Sequence, residues 1–336
     1  MIVKFDQRWL GAHGIGRFSQ ELANRVKELS TNSLKRLSPT SPFDVFYLTW
    51  KIVADRRSLW FSPGYNAPLF GLNRYIFTIH DLNHIDLAAN SNLLKRLYYQ
   101  WVMRRACRKA VKVLTVSEYS RQRIIQWAKM PASQVINVGN GVSTNFTPDG
   151  ERHTPGYRYL FCVGNRKAHK NEQRLLRAFA AADIALDIRL LFTGPEGGGL
   201  ADLARELGVE GRVVFLGKVT EVQLPSIYRS AIALVFPTLY EGFGLPVVEA
   251  MASGTPVVTS NVTSLPEVAG DAAILVDPLD EVAIADGIKR VVTDQGLRQV
   301  LIERGIQQAK RFSWDAVAQR VTQVLDEEIT TLRRAP

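Results

Sequence analysis

The chain is poor in cysteine, and neither of its two cysteines, Cys107 and Cys162, stands in a CxxC spacing or beside a histidine. That excludes a disulfide framework and a thiolate metal site, and both are read as reduced residues in apolar surroundings. Long hydrophobic runs are absent as well. No stretch approaches the roughly 18 apolar residues of a membrane span, and the opening MIVKFD lacks a signal-like apolar core, so the expected location is the cytoplasm. There is no internal repeat, no low-complexity tract and no D-x-D carboxylate pair anywhere.

What is present is ordinary in amount and uneven in place. With 336 residues, 46% hydrophobic and 22% charged, the composition is that of a globular protein of two domains. The net charge of +10 is concentrated. Between Ser91 and Lys129 ten basic residues, among them Lys95, Arg96, Arg104, Arg105, Arg108 and Lys109, face a single acid, Glu118. Leu93, Leu94, Leu97, Tyr98, Trp101 and Val102 recur at helical spacing in the same segment, giving one apolar stripe and one cationic side. This is either a solvated surface helix or a helix lying on an anionic membrane surface. Nucleic acid is not expected, because no recognition motif accompanies the charge.

The organising stretch is 233–267, ALVFPTLYEGFGLPVVEAMASGTPVVTSNVTSLPE. A buried strand breaks at Pro237, Glu241-Gly-Phe-Gly forms a turn, and Leu245 opens a helix carrying Glu249. Gly242 and Gly244 let backbone approach a ligand, and the amides at the helix start face outward toward an anion or a polarised hydroxyl. The bland alternative is a pair of glutamates that merely cap helices. A second strand and another helix start at Ser264 follow, so two helix N-termini open at strand carboxyl ends in the doubly wound manner.

Earlier in the chain, MIVKF predicts a strand. The glycine-rich loop Gly11–Gly16 then opens a helix running through Phe18, Leu22, Val26 and Leu29, and that loop is either a phosphate-facing turn or a tight packing turn. Asp44–Tyr47, Ser58–Ser62 and Tyr75–Thr78 are expected as strands, the last ending at His80-Asp81, where the histidine is either a site residue or a satisfied structural one. KVLTV (112–116) is a strand followed by a helix capped at Ser117. The stretch 148–157, rich in Pro, Gly and charge, reads as a linker. Beyond it, YLFCV leads into Gly164-Asn-Arg166-Lys-Ala-His-Lys170 and a helix from Glu172, a cationic strand-to-helix turn suited to a diphosphate or else a solvated basic loop.

Taken together, EGFGLPVVEAMASGTPVVTS, the HD pair at 80–81, the SEYS cap at 117–120, Asn140-Gly141 and FSWD at 312–315 closely resemble family 4 of the retaining glycosyltransferases. The resemblance spans nearly the whole chain and implies an α/β fold of the GT-B kind, two doubly wound Rossmann-like domains facing across a cleft. It places an acceptor-side domain at 1–152, a donor-binding domain at 153–312 and a C-terminal helix, 313–336, returning toward the first. It implies that His80 contacts the donor sugar, and that Arg166 and Lys170 bind the donor phosphates, Arg166 being the looser match because Asn165 interrupts the usual glycine-arginine pair. It further implies that Glu241 and the amides of Gly242, Phe243, Gly244 and Leu245 hold the sugar hydroxyls, that Glu249 takes the ribose, that Val219 reads the nucleobase through its backbone, and that Gly14 and Gly16 lie beside the diphosphate. No metal or other cofactor is expected, since the carboxylate clamp is missing and the two cations can stabilise the leaving group. The implied activity is transfer of a hexose, with GDP-mannose the leading donor and UDP-sugars open, to a glycan or polyprenyl-diphosphate-linked acceptor. Bacterial mannosyltransferases of polysaccharide or lipopolysaccharide assembly have similar N-terminal motifs. A sugar-nucleotide epimerase, a phosphorylase and a non-catalytic sugar-nucleotide or lipid-binding protein are the competing readings.

Overall fold

The structure is a computed structural model that describes residues 1–11, 14–30, 34, 37–87 and 93–334. The chain divides into two compact units, Met1–Gly141 with Ser313–Pro336, and Val142–Phe312.

The first unit is built on six parallel strands, β1 (Ile2–Phe5), β2 (Leu29–Ser30), β3 (Ser58–Ser62), β4 (Tyr75–Thr78), β5 (Lys112–Thr115) and β6 (Val135–Asn137), in the order β2-β1-β3-β4-β5-β6. Every residue of β3 and β4 is buried, as a parallel sheet covered on both faces requires. One face packs Trp60, Tyr75, Phe77 and Val113 against Leu48, Ile52, Tyr99, Met103 and Cys107. The helix Trp314–Arg334 packs within this unit beside the helix Gly14–Arg25, through Phe18 and Trp314 (6.2 Å between rings) and an Arg25–Asp315 ion pair of 2.8 Å.

Two expectations are corrected here. Asp44–Tyr47 is not a strand but the start of the helix Asp44–Ala54. Its buried positions Asp44, Leu48 and Ile52 fall four apart, the helical period, while aromatics on the opposite face hide the polar side that would have revealed it. The first long helix ends at Arg25, and Leu29 pairs with Val3 as β2, so Leu29 belongs to the sheet.

The second unit repeats the scheme with β7 (Tyr159–Cys162), β8 (Arg189–Phe192), β9 (Val213–Phe215), β10 (Ala233–Phe236), β11 (Val257–Ser260) and β12 (Ile274–Val276), in the order β12-β11-β10-β7-β8-β9. The stretch read as a linker is part of this unit rather than a tether. Arg229 donates to the carbonyls of Thr147 and Glu151, the His153 amide bonds the Ser226 carbonyl, and the Phe146 ring sits 5.9 Å from Tyr228. The division therefore falls at Gly141, before the expected 152/153 boundary.

Candidate functional site

β7 and β10 lie side by side although two strands and their helices separate them in sequence, so their junction is where strand order reverses. Loops leaving adjacent strand ends at such a point diverge and leave a crevice. The loop after β7 carries Lys170, and the loop after β10 carries Glu241. Lys170 Nζ donates to Glu241 Oε1 at 2.7 Å, with both side chains about 15% exposed or less. The ammonium also stands 4.8 Å over the Phe236 ring. The carboxylate and the cation expected to act together are thus brought together.

Hydroxyls and amides hold these loops. Thr238 Oγ1 donates to the His169 carbonyl at 2.8 Å and lies 3.2 Å from Glu241 Oε1, and the Leu239 amide bonds the same His169 carbonyl. Asn171, in the left-handed region at φ 59°, donates from Nδ2 to the carbonyls of Pro237 and Pro278. Ser264 Oγ donates to the carbonyls of Glu241 and Phe243, and Thr263 Oγ1 accepts from the Glu241 amide. The EGFG turn is therefore fixed from behind by β11's following loop. Gly244 caps the helix Leu245–Ala252 at φ 103°, and a Cβ there would lie 2.6 Å from Leu265 Cδ2, so the turn requires glycine.

Glu249 is buried on that helix, and Tyr228 donates its hydroxyl to Oε2 at 3.1 Å. Tyr228 itself is clamped between Phe161 and Phe146. The carboxylate is thereby oriented by a fully buried partner. Val219 follows a bridge in which Gly194 and Gly217 exchange backbone hydrogen bonds of 2.8 and 3.1 Å, tying the loops after β8 and β9 together.

Arg166 stands in the same loop as Lys170, and both cations act on the Glu172 carboxyl. Its guanidinium ion-pairs with Glu172, donates to the carbonyls of Thr193 and Pro195, and lies over the rings of Phe192 and Phe215. Burial pushes the Glu172 carboxyl up, against the opposing pull of Arg166. Arg166 thus ties the loop after β7 to the loop after β8, with Lys170 further along the same loop.

In the first unit, His80 follows β4, with Nε2 2.9 Å from the Pro63 carbonyl oxygen and its ring edge-on to Phe18 at 4.9 Å. Gly16 packs so closely on Gly11 that a Cβ would stand 2.0 Å from its carbonyl oxygen, whereas a Cβ on Gly14 would meet nothing. Of the two glycines, Gly16, in the first turn of the helix Gly14–Arg25, is the one that the packing on Gly11 demands. His13 lies outside the described residues, as do Ser91 and Asn92 of the basic segment. Among the described residues no group of three or more His, Cys, Asp or Glu is placed to hold a metal, and no helix is long and apolar enough to cross a membrane.

Sequence reasoning missed Asn171, Thr238, Thr263 and Tyr228 as parts of the site's frame. Asn171, Thr238 and Thr263 are single polar residues in loops and have no periodicity, Tyr228 lies on the short helix Leu224–Ser230, and of the two with φ above zero, Asn171 and Thr263, only asparagine is a residue type that favours that conformation.

Residues 144–308 match the glycosyl transferases group 1, and residues 32–146 match glycosyltransferase family 4. The chain is 31% identical to the O-antigen chain mannosyltransferase B of Escherichia coli over 280 residues, 79% of this chain and 73% of that protein. It is 26% identical to the O-antigen chain mannosyltransferase RfbU of Salmonella typhimurium, over 66% of this chain and 61% of that one. The solved structure of Anabaena HepE in complex with UDP-glucose superposes at a TM-score of 0.77 with 17% identity, covering 97% of this chain and 99% of that one. The fold is accordingly the GT-B one, two doubly wound α/β units in a single chain. With both family profiles matched and a mannosyltransferase relative at this identity and coverage, the chain belongs to the family 4, group 1 glycosyltransferases.

Proposed function

We propose that the protein is a retaining hexosyltransferase that moves mannose from GDP-mannose to a glycan or polyprenyl-diphosphate-linked acceptor, without a metal. The observation that carries the reading is the Lys170–Glu241 pair at the junction of β7 and β10. A leaving nucleoside diphosphate gains negative charge as its bond to the anomeric carbon breaks, and a fixed cation in a partly dry site stabilises that charge without reorganising. Lys170 is held in place by Glu241 before any donor arrives, so its position costs little further ordering.

Glu241 and the amides from Gly242 to Leu245 take the sugar hydroxyls, Glu249 takes the ribose, Val219 takes the base edge, and His80 with Gly14 and Gly16 at the start of the first helix contributes to the sugar and diphosphate. In the reaction the bond between the anomeric carbon and the β-phosphate oxygen breaks, and its electron pair goes to the phosphate. The acceptor oxygen bonds the same face of the sugar, and its proton passes to the departing phosphate oxygen. Glu241 serves as a hydroxyl ligand, because its carboxylate is already engaged by Lys170 and Thr238. The mannosyltransferase relatives support mannose, and the basic segment 91–129 supports an acceptor presented at the inner face of an anionic membrane.

Thermal shift against a panel of nucleotide sugars, with and without EDTA, tests the reading. Stabilisation by GDP-mannose unchanged by EDTA is expected. A shift only with UDP-sugars favours the second reading, for which the UDP-glucose complex of HepE is the support. No shift with any donor would overturn the enzymatic assignment.

A further inference from the structure

The first unit exposes large apolar side chains that its core does not need. On the helix Asp44–Ala54, Phe46 and Trp50 are each 62% exposed, and Phe43 and Val53 continue the same face at helical spacing. The opposite face of that helix, Leu48 and Ile52, is in the core, so the helix is apolar on both sides. A soluble surface helix would be polar outside.

A second helical run, 93–109, presents Leu93, Leu94, Leu97 and Trp101, of which Trp101 is 72% exposed. A π-helical turn, Tyr98–Met103, lies in its middle. The inserted turn puts Tyr99 and Met103 inward while Trp101 faces out. Segments 69–70 join the two runs. The Leu69 amide bonds Thr49 Oγ1 of the first, and Arg105 of the second donates to the Leu69 carbonyl and lies 5.8 Å from the exposed Phe70 ring. Both runs bury their inner faces in one core cluster on one side of the sheet, so their outer faces lie on the same side of the unit.

Cations border this apolar ground. Lys51 stands 4.8 Å over the Trp50 ring, and Trp101 shares a depression of about 380 Å³ with Arg104, Arg105, Arg108 and Lys109. From Leu93 to Lys109 there are six basic residues and no acid. Aromatic rings flanked by arginine and lysine match the boundary between acyl chains and anionic headgroups. A protein partner would have to present an acidic surface to match these cations, a complementarity that an anionic headgroup layer supplies along its whole extent.

We propose that this two-helix face, with Phe46, Trp50, Phe70 and Trp101 as inserting side chains, docks the protein on an anionic phospholipid bilayer. The proposal deepens the reading of a lipid-linked acceptor: the apolar anchor is the helix at 44–54, and the basic run at 93–109 supplies the charge. Charge alone would give long-range attraction but no depth, whereas rings at the interface fix the distance of the unit from the headgroups.

The test is sedimentation with vesicles of phosphatidylcholine alone and with about a third phosphatidylglycerol, together with tryptophan quenching by brominated lipid. The full chain should pellet with the anionic vesicles only and be quenched there. The exposed-face double variant Phe46→Ser, Trp50→Ser should bind at least about fivefold less while keeping its folded circular dichroism and its donor thermal shift. Unchanged binding of that variant would overturn the proposal, as would a wild-type chain that ignores anionic vesicles. A concentration-dependent dimer that Trp50→Ser dissociates, with no vesicle binding, would assign the face to a second copy and overturn it equally. Vesicle binding without any donor shift would leave the docking face standing and remove the transferase reading instead.

Discussion

The two units share a parallel doubly wound scheme and differ in what occupies their strand ends. In the second, the loops after β7, β10 and β11 are stitched by hydroxyls and amides donating to backbone carbonyls, at His169, Pro237, Glu241 and Phe243, and two charged groups are set at the junction. In the first, the matching place after β1 and β3 holds a buried charge network. Arg8 forks onto Asp6 and reaches Asp44 at 2.6 Å, while Asn66 donates to both acids and accepts from Trp9 and Ser62. Burial pushes the Asp44 carboxyl up even with Arg8 and Asn66 pulling the other way. One unit spends its strand ends on a site with fixed backbone, the other on a self-satisfied core of charges. Donor chemistry needs exact backbone placement, and the proposed docking face would need rigidity beneath it.

The largest effect expected from breaking this contrast is Arg8→Ala. It leaves Asp6 and Asp44 buried without their cation and should destabilise the first unit by about 3–5 kcal/mol. Hydrogen exchange should show β1 and β3 losing protection while the second unit keeps it. Uniform loss in both units would mean the contrast is not real.

Next comes Gly244→Ala, which strains a φ of 103° and pushes into Leu265. A cost of about 1–3 kcal/mol and loss of the donor thermal shift are expected. The double variant Gly244→Ala, Leu265→Ala removes the clash and keeps the strained backbone, so it should recover little donor binding. Full recovery would show that packing, not backbone conformation, sets the turn.

The smallest effect sits on the first unit's surface. Burial works against the charge of Asp55, yet hydrogen bonds from Ser58 and the Arg57 amide, with Lys4 at 3.5 Å, outweigh it and hold the carboxyl below its ordinary value of 3.8. Because the folded value is the lower one, the contribution is complete above 3.8 and fades as pH falls through that lower value. Asp55→Asn should cost under about 1 kcal/mol at neutral pH. Urea unfolding at pH 7 and pH 3 should show the difference shrinking in acid.

The same contrast explains what could be read from residues alone. The strands and loops from 233 to 267 were legible because a run of buried β residues, two glycines and two acids at fixed spacing leave one way to fold. Arg166 and Lys170 were both legible as cations of a strand-to-helix turn, whereas the partners that hold Arg166, namely Glu172, Thr193 and Pro195, come together only in three dimensions. The helix at 44–54 was misread as strand for the reason that makes it interesting: Phe46, Trp50 and Val53 point outward where polar residues would normally mark a helix. The short β2 was hidden because Leu29 continues the apolar helical spacing of Phe18, Leu22 and Val26.

The central claim is that Lys170, held by Glu241 at the junction of β7 and β10, neutralises the departing diphosphate. Turnover of Lys170→Ala with saturating donor and EDTA present measures it most directly. A fall of at least about tenfold, with the donor thermal shift of the variant still detectable, is the expected result. Turnover near that of the unaltered chain would contradict it.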